Sequence, residues 1–164
     1  MIKRDNINLD FIKHEHFRNV LKKFINHILN TELKVKGILL FGSVATGKAR
    51  LDEEYWSDID LIIICEDLPQ DKWVRKRKLN NIVRTVRSGI QDLWFTPEEI
   101  KQHVDSKFYL ILDAFDEGKI LYDPDDLLKN LKGKLFKELM KKGVIKTDLF
   151  WQWPIKKFGD RIEY

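Results

Sequence analysis

Two short apolar runs constrain this chain more than any other feature. Lys36-Gly37-Ile38-Leu39-Leu40-Phe41 ends at Gly42, and Asp58 to Cys65 alternates only at its start before becoming Leu-Ile-Ile-Ile-Cys. Runs this short and continuous are strands covered by other elements on both faces. Gly89 to Phe95 and Lys119-Ile120-Leu121-Tyr122 read as two further strands. Between them lie helical patterns. Residues 10–30 carry Phe17, Val20, Leu21, Phe24, Ile25 and Ile28 at helical spacing, and Lys72 to Arg87 forms a basic helix lined by Leu79, Ile82, Val83 and Val86. Thr96-Pro97-Glu98-Glu99 is a capping box with proline at the first helical position, opening one helix that runs to Gly118. Asp123-Pro124 opens the last helix, with Leu127, Leu128, Leu131, Leu135 and Leu139 inward and Gly133 weakening it. The alternation predicts an α/β (α+β) layered domain, a small mixed sheet of about four or more strands flanked by helices. Residues 1–124 form the main domain with its N-terminal helix, and residues 125–164 add a C-terminal helix and an aromatic, basic tail packed on it.

Composition narrows the setting. The 164 residues are 43% hydrophobic and 34% charged, a globular balance. No apolar run approaches the roughly 20 residues of a membrane span, and the charged N-terminus has no signal-peptide pattern. The single cysteine, Cys65, excludes an internal disulfide and any multi-cysteine zinc site, so a reducing cytoplasm is the expected compartment. The net charge of +4 is uneven: residues 125–164 hold 10 Lys+Arg against 6 Asp+Glu, which leaves residues 1–124 neutral. Residues 72–87 carry seven basic residues and no acid. Arg75-Lys76-Arg77-Lys78 reads first as a solvated helix face, so nucleic acid is only weakly supported as a partner. His14, His16, His27 and His103 lack metal-ligand spacing, and Trp151, Trp153 and Phe158 are expected to pack the tail onto the domain.

The chemistry concentrates in Gly42-Ser43-Val44-Ala45-Thr46-Gly47 and Ser57-Asp58-Ile59-Asp60-Leu61. A strand that ends in Gly-Ser and enters a helix aims free backbone N–H groups at an anion, and Gly42 permits the close approach. Asp58 and Asp60, at i and i+2 on a strand, share one face. Two adjacent carboxylates repel, and a hard divalent cation is their natural companion.

This pattern of Gly-Ser, Gly and Ser-Asp-x-Asp-Leu resembles the nucleotidyltransferase superfamily that includes DNA polymerase beta, and within it the minimal nucleotidyltransferase branch. The resemblance covers roughly residues 30–125. It implies the polymerase-beta-like fold, a triphosphate held by Gly42, Ser43, Gly47 and Ser57, and two Mg²⁺ ions (Mn²⁺ in their place) held by Asp58, Asp60 and a third carboxylate on a later strand. Ile90-Gln91-Asp92-Leu93 supplies Asp92 for that role. The implied reaction is two-metal transfer of a nucleoside monophosphate, AMP from ATP, to an acceptor hydroxyl, with Asp58, Asp60 and Asp92 catalytic. It also implies acceptors among small molecules, nucleic-acid ends or proteins, and a separate helical partner of the HEPN type.

Two rival readings stand beside it. Gly42 to Lys48 matches the G-x-x-x-x-G-K core of a P-loop, although Ala49 occupies the place of the metal-binding Ser or Thr. The fold could also serve as a non-catalytic antitoxin or partner-binding module, against which the presence of the acids argues.

Overall fold

The protein is described here from a computed structural model covering residues 7–52 and 54–155. Phe158 and the first residues of the N-terminus therefore lie outside the described residues.

Four strands form one sheet in the order β3-β2-β1-β4, made of β1 (Val35–Phe41), β2 (Ile59–Cys65), β3 (Ile90–Phe95) and β4 (Lys119–Tyr122). The sheet is mixed: β1 runs antiparallel to β2 and β4, and β2 runs parallel to β3. The continuous apolar runs are explained by burial on both faces. Ile38, Leu40, Ile59, Leu61, Ile63 and Trp94 face one apolar cluster, while Leu39, Ile62 and Ile64 face another.

The first cluster is closed by helix α1 (Glu15–Leu29), through Phe17, Leu21, Phe24, Ile25 and Ile28, and by α3 (Lys72–Val83), through Leu79 and Val83. The two helices are joined by His27, whose Nε2 meets the Ile82 carbonyl at 2.7 Å. That is a packing role for a histidine. The second cluster is closed by α4 (Pro97–Asp105), α5 (Tyr109–Glu117) and α6 (Leu127–Lys142). Leu128 of α6 seats against Gly37, where a Cβ would stand 2.7 Å from Leu128 Cδ1.

The single helix expected from Thr96 to Gly118 is two helices. The chain breaks at Lys107, which adopts φ 54°. Its side chain is almost wholly buried, and Nζ bonds Glu138 Oε2 at 2.6 Å and the Asp105 carbonyl at 3.1 Å. A paired buried ammonium thus ties the break to α6. The capping box is present as expected: Thr96 Oγ1 accepts from Glu99 N at 3.1 Å, and Glu99 accepts from Thr96 N at 2.8 Å. Glu99 also takes both terminal nitrogens of Arg75, at 2.9 and 2.8 Å, which holds its carboxyl below the usual range. Lys78 pairs with Asp67 at 3.6 Å. Two of the four residues of the basic run are therefore structural.

The tail contains a small hairpin, β5 (Ile145–Lys146) with β6 (Trp151–Gln152), turned by Thr147, which accepts from Phe150 N at 3.0 Å. Trp151 Nε1 donates to Asp113 at 2.9 Å, and Lys146 bonds Asp116 at 2.7 Å and Glu117 at 2.9 Å. Trp151 and Trp153 accordingly pack against the domain. Cys65 is buried, and burial with its hydrogen bond to Asp67 pushes the thiol up to about 12. No helix among the described residues is long and apolar enough to cross a membrane.

Candidate active site

β1 ends by running straight into a five-residue helix, α2 (Gly42–Thr46). Gly42 makes the turn at φ 72°, and Gly47 ends the helix in the left-handed region, also at φ 72°. Thr46 Oγ1 donates to the Gly42 carbonyl at 3.1 Å, and Lys48 N donates to the Ser43 carbonyl at 2.9 Å. These bonds fix a compact turn whose leading N–H groups have no intrahelical acceptor.

Gly42 lies against Asp60. A Cβ at position 42 would stand 2.3 Å from Asp60 Oδ2, a distance no side chain tolerates. The glycine lets the start of α2 and the acid touch. Asp60 opposes Phe41 across the antiparallel β1–β2 pair, and Ile59 and Leu61 turn into the opposite core. Asp58 precedes the strand on the Asp60 side and is exposed, while Asp60 is half-buried. Burial, and then the Asp58 charge, raise the Asp60 carboxyl above its ordinary value. Among the described residues neither carboxylate forms an ion pair with a lysine or arginine. The pair is thus an uncompensated negative site beside a turn suited to phosphate.

Asp92 does not join it. Parallel pairing sets Asp60 beside Gln91 and Leu61 beside Asp92. Laterally paired residues share a face, so Asp92 lies on the Leu61 side of the sheet. There its side chain is 2% exposed and accepts hydrogen bonds from Arg87 Nε and Trp94 Nε1. Gln91 takes the place beside the acids instead, and its Nε2 donates to Asp58 Oδ2 at 2.7 Å. The expected carboxylate trio is therefore a carboxylate pair and a carboxamide. Among the described residues no group of three His, Cys, Asp or Glu gathers to hold a metal. Asp58 and Asp60 suit one divalent cation; the ligand set expected for a second does not assemble.

Ser57 closes the preceding loop. Its hydroxyl accepts from Arg50 N at 2.9 Å, and its N–H donates to the Arg50 carbonyl at 3.0 Å. Lys13, which no sequence motif marks, lies beside Gly47: its Nζ is 3.8 Å from where a Cβ at 47 would stand. From Phe41 and Gly42 a cleft of about 950 Å³ extends along α5 to the hairpin, lined by Phe108, Tyr109, Phe150 and Trp151 among others.

The P-loop reading fails on this geometry. That motif needs a helix beginning at its lysine, whereas here the helix ends at Thr46 and Lys48 lies in irregular chain.

Comparison with known proteins gives the same family as the motifs. The Polymerase beta, Nucleotidyltransferase family model matches residues 23–127. The protein of Methanocaldococcus jannaschii named "Putative protein adenylyltransferase MJ1305" is 33% identical over 120 residues, spanning 66% of this chain and 79% of that one. A chain from a crystal structure of a MntA–HpeT toxin–antitoxin is 18% identical, with TM-score 0.44, over 74% of this chain and 86% of its own. Another, from a toxin–antitoxin crystallised with AMP-PNP, is 19% identical, with TM-score 0.38, over 76% and 86%. With the family model spanning most of the chain and the archaeal relative matching at this level, the protein belongs to the polymerase-beta nucleotidyltransferase family.

Proposed function

We propose that this protein transfers AMP from ATP to a hydroxyl on another protein. The observation that carries the reading is the contact of Gly42 with Asp60, which joins a phosphate-suited turn to a pair of uncompensated carboxylates. Family membership supports nucleotidyl transfer, and the name of the archaeal relative supports AMP as the group and protein as the acceptor class.

In this reading the N–H groups of Gly42 and Ser43 cradle the triphosphate, with the Lys13 ammonium near the far end of the turn. The nucleoside lies in the aromatic cleft that begins at Phe41 and Gly42. Asp58 and Asp60 would hold one Mg²⁺ (or Mn²⁺) together with phosphate oxygens. When bound, that ion supplies charge stabilisation for the phosphates and for the departing pyrophosphate. Asp92 is outside this arrangement. The acceptor oxygen forms a bond to the α-phosphorus as the bond to the α–β bridging oxygen breaks. Pyrophosphate leaves with that electron pair, and the hydroxyl proton passes to water. The residues of this chain contribute position and a fixed field, the main sources of rate in phosphoryl chemistry.

The test is labelling with α-³²P-ATP and Mg²⁺ in a protein extract. Label should appear on protein with the wild type and be lost with Asp58→Ala and Asp60→Ala. Equal labelling by the variants contradicts the assignment. The displacement of Asp92 favours a second reading, a nucleotide-binding partner module with no transfer. Mg²⁺-dependent ATP binding with no labelled product would establish that reading instead.

A further inference from the structure

We infer that Gln91 stands where a third carboxylate would complete the cation site, and that this chain therefore holds one divalent cation with its nucleotide instead of two. The inference rests on the nucleotide reading of Asp58 and Asp60 and deepens it.

Three independent observations support the position. Gln91 is the lateral neighbour of Asp60 in the parallel β2–β3 register. Its carboxamide reaches the acid pair, with Nε2 2.7 Å from Asp58 Oδ2. The packing agrees with the register: Leu93 and Phe95, which share Gln91's parity, contact the same cluster as Ile62 and Ile64, whereas Ile90 and Trp94, which share that of Asp92, contact the cluster of Ile59, Leu61 and Ile63. Asp92 cannot be recruited by a side-chain rotation, because reaching the other face requires slipping β3 by one residue. That slip would exchange Trp94 with Leu93 and Phe95 between the two cores.

The chemistry of the exchange is specific. A carboxamide carries no charge, and its NH₂ end, which here faces Asp58, is a donor that no cation binds. Gln91 relieves part of the repulsion between Asp58 and Asp60 without adding a ligand of the kind a hard cation prefers. A second ion would have only the two carboxylates, already shared with the first, and the acceptor hydroxyl. The site is thus equipped to bind nucleotide with one cation but lacks the negative charge that would hold an ion on the acceptor side.

The experiment counts bound Mn²⁺ per chain by electron paramagnetic resonance in the presence of a non-hydrolysable ATP analogue. It uses the full chain as wild type, Gln91→Asp, Gln91→Glu and Asp92→Asn, with thermal melting to confirm that each is folded. The expected result is one ion for the wild type and for Asp92→Asn, and two for Gln91→Asp or Gln91→Glu. The two lengths guard against one variant failing to fold or to reach. Two ions in the wild type, loss of an ion in folded Asp92→Asn, or one ion in both folded Gln91 variants overturns the inference while leaving the nucleotide reading in place. No ion in any form overturns both.

Discussion

Replacing Asp92 by asparagine separates a structural carboxylate from a metal ligand, because the two roles predict opposite signs. The Asp92 side chain is 2% exposed and accepts from Arg87 and from Trp94 Nε1. Asparagine retains one acceptor oxygen but turns an NH₂ group toward one of these donors. Arg87 has 43% of its side chain exposed and regains hydration when its partner is lost, so the cost falls below the roughly 3–5 kcal/mol of breaking a fully buried pair. Trp94 is buried and has less access to water; a buried donor left without a partner costs about 1–3 kcal/mol. Because only one of the two donors loses its acceptor, the cost is about 2 kcal/mol of stability, which lowers the urea midpoint by about 1 M at a slope near 2 kcal/mol/M. Urea unfolding of the metal-free protein at neutral pH, followed by circular dichroism, measures it. A metal-site carboxylate would behave in the reverse way, since removing one charge from a crowded acid cluster stabilises the metal-free fold. Unchanged or raised stability together with lost Mn²⁺ affinity would refute the assignment.

Gly42→Ala forces a Cβ into Asp60 Oδ2 at φ 72°, and should cost about 1–3 kcal/mol of stability and at least tenfold in ATP affinity by calorimetry, about 1.4 kcal/mol. Asp60 has a raised carboxyl, so its contribution to the metal-free fold is present below the ordinary aspartate value of 3.8 and lost as pH rises through the raised value. Asp60→Asn should therefore melt higher than wild type at neutral pH, with the gap closing in acid, and should lose Mg²⁺-dependent nucleotide binding. Glu99 has the opposite shift, held down first by its hydrogen bond to Arg75, so its contribution is present above the ordinary glutamate value of 4.5 and lost as pH falls through the lowered one. Arg75→Ala should cost about 1–2 kcal/mol at pH 7 by urea unfolding, and the difference from wild type should shrink below pH 4.5.

The parts of this protein legible in its sequence are those decided by local pattern. The runs ending at Phe41 and Cys65 declared strands covered on both faces, Thr96 to Glu99 declared a helix start, and Gly42 and Asp60, paired by motif, do lie against each other. The parts not legible depend on relations between distant segments. The period of two puts Asp92 on one face with Ile90 and Trp94, but both faces of this sheet are apolar, so the period alone does not say which face is which. Only the pairing of Leu61 with Asp92 decides it. The break at Lys107 was hidden because the apolar spacing persists through Phe108, Ile111 and Leu112; the buried Lys107 ammonium is tied there to the partly exposed Glu138, 31 residues away. Lys13 reaches Gly47 across a gap that no motif spans.

AMP transfer requires that the bond broken lie between the α- and β-phosphates. Parallel reactions with α-³²P-ATP and γ-³²P-ATP, each with Mg²⁺ and protein extract, test it most directly. AMP transfer puts label on protein from the α position only, with γ label recovered in pyrophosphate, and Asp60→Ala gives neither product. Protein labelled from the γ position, or α label transferred equally well by Asp60→Ala, would contradict it.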